Sequence, residues 1–197
     1  MSTYKSDRAF SNYVHQNIAI DKIYKSLDWT EVSFESNYGI HIDIADGVDY
    51  VFLKDKKLIT VQERFREAKY ENYNDFTIRY RRDKNKHKDR HESEFYKLKA
   101  QYFIYGIVNG TKTQQTHCTD FLKYAVIDLE KFYEKINSGF IYVEDNNKNY
   151  SQIIDDSKLE CPIKHNRDGS SSFIPIDITQ LITLWGNTMV IAQKGFC

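Results

Sequence analysis

The segment Gln101-Tyr-Phe-Ile-Tyr-Gly-Ile-Val108 carries no charge, and after Gln101 it is almost wholly apolar or aromatic. A half-exposed strand alternates polar and apolar residues, so an unbroken run of this length reads as a strand buried on both faces. The residues before it, about Asp89 to Ala100, read as a helix carrying Phe95, Tyr96 and Leu98. A strand covered on both sides needs a layer above and a layer below. The expected class is therefore α/β (α+β), with a mixed central sheet flanked by helices.

Other elements fit that frame. From Ser6 to Leu27, the residues Phe10, Tyr13, Val14, Ile18, Ile20, Ile23 and Tyr24 recur at helical spacing, with Ser6 and Asp7 as N-cap chemistry. Val48 to Leu53 reads as a strand, Lys54-Asp-Lys-Lys57 as a turn, and Leu58 to Arg66 as the partner strand of a hairpin. The stretch from Glu67 to about Lys86 takes no clean assignment. Tyr124–Ile127 reads as a strand and Asp128 as the cap of a helix from Leu129 to Ile136, ended by Asn137-Ser138-Gly139. Phe140–Val143 and Phe173–Ile176 read as strands, with Asp177 capping a last helix through Leu181 and Leu184. The expected organisation is a core over residues 1–138 and a C-terminal extension over 139–197, packed as one structural domain.

Composition narrows the setting. Hydrophobic residues make up 41% and aromatics 15% of the 197 residues, too many for a disordered chain. No apolar run reaches the roughly 18 residues that span a membrane, and the N-terminal stretch lacks an apolar signal core. The expected location is the cytoplasm. Cys118, Cys161 and Cys197 have no CxxC spacing and read as reduced thiols. The net charge of +0 gives no overall pull towards nucleic acid. The charge is unevenly spread, however. Arg79, Arg81, Arg82, Lys84, Lys86, Lys88 and Arg90 face only Asp83 and Asp89, and Tyr73, Phe76 and Tyr80 precede them. Bases with nearby aromatics suit phosphate neutralisation and base stacking.

The hairpin carries the chemistry. Asp49 opens its first strand. On the second, Thr60, Gln62, Arg64 and Arg66 share one face, while Val61, Glu63 and Phe65 share the other. A divalent ion polarises a phosphoryl oxygen and acidifies an attacking water, magnesium needs only one or two carboxylates, and a nearby cation stabilises developing charge. Asp49 beside Gln62-Glu63-Arg64 has the parts for that work. Walker loops, GxGxxG, GxSxG and the zinc-deaminase signature are missing.

Gly47-Val-Asp49-Tyr-Val-Phe52, Ile59-Thr-Val-Gln62-Glu63-Arg64 and the helix leading to Gln101–Gly106 resemble the PD-(D/E)xK nuclease superfamily, over roughly residues 5 to 130. The resemblance implies a restriction-endonuclease-like core in which Asp49 and a second residue hold Mg²⁺ or Mn²⁺. Two assignments of that residue stand side by side. Either Gln62-x-Arg64 is a variant of the motif, or Glu63 is the ligand through a local bulge. Arg64 stands where the family has lysine. An acid from the first helical region, Glu31 or Glu35, is a further candidate ligand. Asp43 and Asp46 read as loop acids. His87 and His91 have helical spacing but no third zinc ligand, and His41, His117 and His165 stand alone.

Two functions are expected from these residues. One is a metal-dependent endonuclease acting on DNA, most naturally duplex, with Arg79 to Arg90 gripping the backbone and a homodimer cutting both strands. The other is a catalytically degenerate nucleic-acid-binding protein on the same fold.

Overall fold

A computed structural model describes residues 4–32, 47–81, 93–146 and 148–196. The first helix, α1 (Tyr4–Val14), continues through π-helical turns (His15–Tyr24) and a 3-10 turn (Lys25–Leu27). Phe10, Val14, Ile18, Ala19, Ile23 and Tyr24 are buried along it, the stripe that the apolar spacing predicts. Next come β1 (Thr30–Glu31), β2 (Tyr50–Lys54) and β3 (Lys57–Arg66). The β2–β3 turn places Asp55 and Lys56 at φ 49° and 64°, the two left-handed residues of a type I′ hairpin.

The chain then forms β4 (Asp75–Arg81), α2 (Glu94–Lys97), β5 (Tyr102–Val108), β6 (Phe121–Asp128) and α3 (Leu129–Asn137). After these come β7 (Ile141–Glu144), β8 (Gln152–Ile154), β9 (Lys158–Pro162), β10 (Lys164–His165), β11 (Ser172–Asp177), α4 (Ile178–Trp185) and β12 (Val190–Lys194). The central sheet has six strands in the order β1-β2-β3-β5-β6-β12. In it, β3 and β5 are parallel and the other neighbours antiparallel. Two three-stranded sheets, β10-β11-β4 and β7-β9-β8, accompany it among the described residues. The fold is mixed α+β with helices on a mixed central sheet.

Strand β5 lies between two hydrophobic layers, as its composition requires. Phe103, Tyr105 and Ile107 pack with Phe76, Ile78, Phe132 and Leu181, whereas Ile104 and Val108 pack with the first helix. Each large side chain buried this way contributes roughly 1.5–3 kcal/mol. Gly106 sits where two rings meet across the sheet. A Cβ there would lie 2.5 Å from Phe121 Cε1 and 3.0 Å from Phe65 Cδ1. Gly106→Ala should therefore destabilise the fold by about 1–3 kcal/mol through overpacking. Urea unfolding with an unchanged m-value would check this, and unaltered stability would show that the rings move aside freely.

Several boundaries differ from those expected. The helix before β5 is confined to Glu94–Lys97, because Leu98 turns extended at ψ 107° so that it and Ala100 enter the core. Residues 89–92 of that expected helix lie outside the described residues. The unassigned stretch holds β4, in which Phe76 and Ile78 are buried between Thr77 and Arg79. Asp128 and Asp177 cap α3 and α4 as expected, accepting from the N–H groups of Lys131 and of Thr179 and Gln180. Residues 139–146 and 148–196 are woven into the body of the protein. They supply β12 to the central sheet and β11 as the partner of β4.

Candidate active-site cleft at the fork of the hairpin

The cleft exists because the two hairpin strands differ in reach. Strand β2 pairs with β3 only as far as Tyr50 opposite Val61, while β3 continues to Arg66 along β5. Past Val61 the outer edge of β3 has no strand partner among the described residues. Asp49 stands at the fork. Its N–H donates to the Val61 carbonyl at 2.8 Å. Its Oδ2 accepts from the backbone N–H of Glu63 at 2.8 Å, capping the first open amide of that edge. Its Oδ1 lies 3.3 Å from Arg8 Nη1 on α1.

Two connected lobes follow. The first, about 480 Å³, is lined by Arg8, Asp49, Gln62, Arg64, Lys97 and others. The second, about 670 Å³, runs along the open edge of β3 towards β4 and β11. Arg64, Arg79 and Glu94 line both.

Strand alternation sorts the predicted residues. Ile59, Val61, Glu63 and Phe65 are buried on the face towards the first helix, and Thr60, Gln62, Arg64 and Arg66 lie on the other. The register from Val61 to Arg66 against β5 is unbroken. The bulge that would turn Glu63 towards Asp49 is therefore not formed, and this expectation is corrected. Only the backbone of Glu63 meets the Asp49 carboxylate. Its side chain, 1% exposed, accepts at Oε1 from the Tyr24 hydroxyl and from His15 Nδ1 at 2.9 Å. His15 lies flat on Tyr50, ring centroids 3.5 Å apart, and its Nε2 is 3.5 Å from Glu31 Oε2. Burial pulls the His15 imidazole down, but hydrogen bonds and charge from Glu63 and Glu31 outweigh it and leave the pKa raised. Glu31 thus faces His15. Glu35, Asp43, Asp46, His41, His87 and His91 lie outside the described residues.

Arg64 is also committed. It donates to the carbonyl of Thr77, to Thr77 Oγ1 at 3.3 Å and to Glu94 Oε1 at 2.6 Å. Burial alone would raise the Glu94 carboxyl. The Arg64 charge and hydrogen bond, with the N–H of Arg79, bring it below its ordinary value. The ion pair holds α2 against β3 and β4. Of the basic segment, Arg79 and Arg81 are on β4 and exposed. Arg82, Lys84, Lys86, Lys88 and Arg90 fall outside the described residues.

The donor chemistry of the first lobe can be tested against a divalent ion. Gln62 Oε1 is buried and has no hydrogen-bond partner among the described residues. It points past Gly47, where an added Cβ would lie 3.1 Å from it. A buried amide oxygen without a partner carries a desolvation cost that a cation or a water would relieve. Asp49 supplies a carboxylate in the same lobe. One carboxylate with one amide oxygen suits a hard ion that keeps much of its water shell, as Mg²⁺ does. Asp49 and Gln62 therefore fit such an ion, and the Glu63 carboxylate, turned to the opposite face, does not. Among the described residues no group of three or more His, Cys, Asp or Glu side chains is gathered for a metal.

Three contributors were not singled out from the sequence. Arg8 belongs to the polar side of α1, a signal that helical periodicity contains. His15 lies next to the buried stripe, three and four residues before Ile18 and Ala19, and so was legible as a core histidine. Lys97 lines the first lobe and has no ion-pair or hydrogen-bond partner among the described residues. No local pattern marks it, because α2 reaches the fork only through the tertiary fold. No helix among the described residues is long and apolar enough to cross a membrane. Comparison with models of protein families, with curated proteins and with solved structures found no match to this chain.

Proposed function

We propose that this protein is a metal-dependent nuclease that hydrolyses phosphodiester bonds at the hairpin fork. The observation that carries the reading is the buried Gln62 Oε1, without a hydrogen-bond partner among the described residues, in the same lobe as the Asp49 carboxylate and edged by Arg8 and Lys97. When bound, Mg²⁺ or Mn²⁺ would supply Lewis acidity and an acidified water. Asp49 and Gln62 would hold it. The Glu63 amide keeps the Asp49 carboxylate oriented, a pre-organisation that costs nothing at the moment of reaction. Arg64 is held by Glu94 and Thr77, so the cation that meets the phosphate is assigned to Lys97, with Arg8 beside it. Arginine stays protonated and is a poor base, whereas a lysine in a cleft can also move a proton. DNA is the proposed substrate, with Arg79 lining the cleft and Arg81 exposed two residues further along β4.

A second reading, nucleic-acid binding without hydrolysis, is favoured by one observation. Glu63 and Arg64 both spend their charge inside the protein. Incubation of purified protein with plasmid and single-stranded DNA, in Mg²⁺, Mn²⁺ or EDTA, separates the two. The nuclease reading expects divalent-dependent nicking that EDTA abolishes. Binding without any cutting under every metal condition would leave only the second reading.

A further inference from the structure

The second lobe has a composition that hydrolysis at Asp49 does not require. Tyr73 is 51% exposed on its wall, with its ring 6.1 Å from that of Tyr70 and tilted by 54°. The Arg66 guanidinium lies 5.1 Å from the Tyr70 centroid. Its one side-chain hydrogen bond is to Thr77 Oγ1 at 3.3 Å, and it makes no ion pair among the described residues. Most of its donors are therefore left for a ligand. Asp75 adds an acceptor at the base of β4. Ser172 also lines the lobe, but at its far end, opposite Arg81 and six residues along β4 from Asp75. A planar group with donors and acceptors along its edge satisfies Tyr73, Arg66 and Asp75 together. It would stack on a tyrosine face, accept from Arg66 and donate to Asp75. The space of about 670 Å³ admits a nucleotide.

We infer that the lobe between β3, β4 and β11 takes one unstacked nucleobase of a single-stranded nucleic acid, with Tyr73 as its stacking face. The inference rests on the nucleic-acid reading above but not on hydrolysis. A base within a duplex has both faces covered by its neighbours, so it reaches Tyr73 only where the strand is unpaired or the nucleotide is turned out. Arg66 and Asp75 then meet the base edge.

The test is binding in EDTA, which keeps it separate from cutting. Fluorescence anisotropy of a labelled single-stranded oligonucleotide is compared with its duplex, and with a set carrying one abasic position moved along the strand. Wild type should prefer the single strand. One abasic position should weaken binding by about 5- to 100-fold, the range of a single base–aromatic stack. Tyr73→Ala, at a half-exposed site that the fold does not need, should weaken the intact strand similarly and erase the abasic effect. Indifference to every abasic position, Tyr73→Ala binding like wild type, or binding to neither strand form would each overturn the inference. If the single-strand preference and the Tyr73 effect hold while no metal supports cutting, the nuclease reading alone fails. If cutting proceeds and Tyr73→Ala binds normally, the base lobe alone fails.

Discussion

Replacing Asp49 with asparagine is expected to lower divalent-dependent cleavage by at least about 100-fold, the scale of losing one pre-organised charge-stabilising group. The substitution is nearly isosteric. An asparagine Oδ1 can still accept from the Glu63 N–H, so the cap on the open edge of β3 survives. What disappears is the negative charge, on which the proposed hold on a divalent ion and the contact with Arg8 both depend. Arg8 is partly exposed and Asp49 sits at the mouth of a cleft, so the lost ion pair should affect stability by no more than about 1 kcal/mol. The informative comparison is cleavage rate in Mg²⁺ against oligonucleotide affinity in EDTA. The rate should fall while affinity and melting temperature stay close to wild type. Cutting that survives Asp49→Asn would place the chemistry elsewhere in the protein.

The second large effect concerns stability. Glu63→Ala removes the carboxylate that joins Tyr24 and His15 beneath the sheet. It leaves an imidazole and a phenol hydroxyl buried without their main partner. Breaking a buried charged pair in this way costs about 3–5 kcal/mol. In a chain of this size that corresponds to a melting temperature lower by about 6–20 °C. Glu63→Gln keeps the volume and an acceptor for the Tyr24 hydroxyl, so it should lose less. The pH dependence identifies the cause. His15 has a folded pKa raised above the ordinary 6.5. Its contribution is therefore fully present below about pH 6.5 and is lost as the pH rises through the folded value. The stability gap between wild type and Glu63→Gln should be widest below that pH and narrow above it. Denaturation midpoints measured across the range would show this. A gap that widened with rising pH would mean that His15 is not the charged partner of Glu63.

Several features were readable along the chain because they depend on local periodicity. The helical stripe from Phe10 to Tyr24 buries as its spacing requires. The hairpin turns where a polar tetrad interrupts two β-rich runs, and Asp128 and Asp177 cap the helices that follow them. Strand β4 was within reach of the same method. Phe76, Ile78 and Tyr80 alternate with Thr77, Arg79 and Arg81, but the surrounding bases and tyrosines hide the pattern. Strand β12 has no such signal. Val190 to Lys194 becomes a strand by pairing with the edge of β6.

The candidate site divides along the same line. Alternation on β3 placed Gln62 and Arg64 on one face and Glu63 on the other, and the structure keeps that division. It could not say which face looks into a cleft, because that depends on where β2 leaves β3 and on what covers each side. Packing of the first helix gave Glu63 to His15 and Tyr24, and packing of α2 gave Arg64 to Glu94. The same packing brought Arg8 and Lys97 to Asp49 from segments 41 and 48 residues away in sequence. What the chain determines by itself is the uncharged run from Tyr102 to Val108: a strand with no polar face must be covered on both sides, whatever surrounds it. Which helix covers each side, and so which charges are spent in the core and which remain in the cleft, was decided only by tertiary packing. Those partners are distant in sequence, and their pairing energy exists only once the sheet has formed.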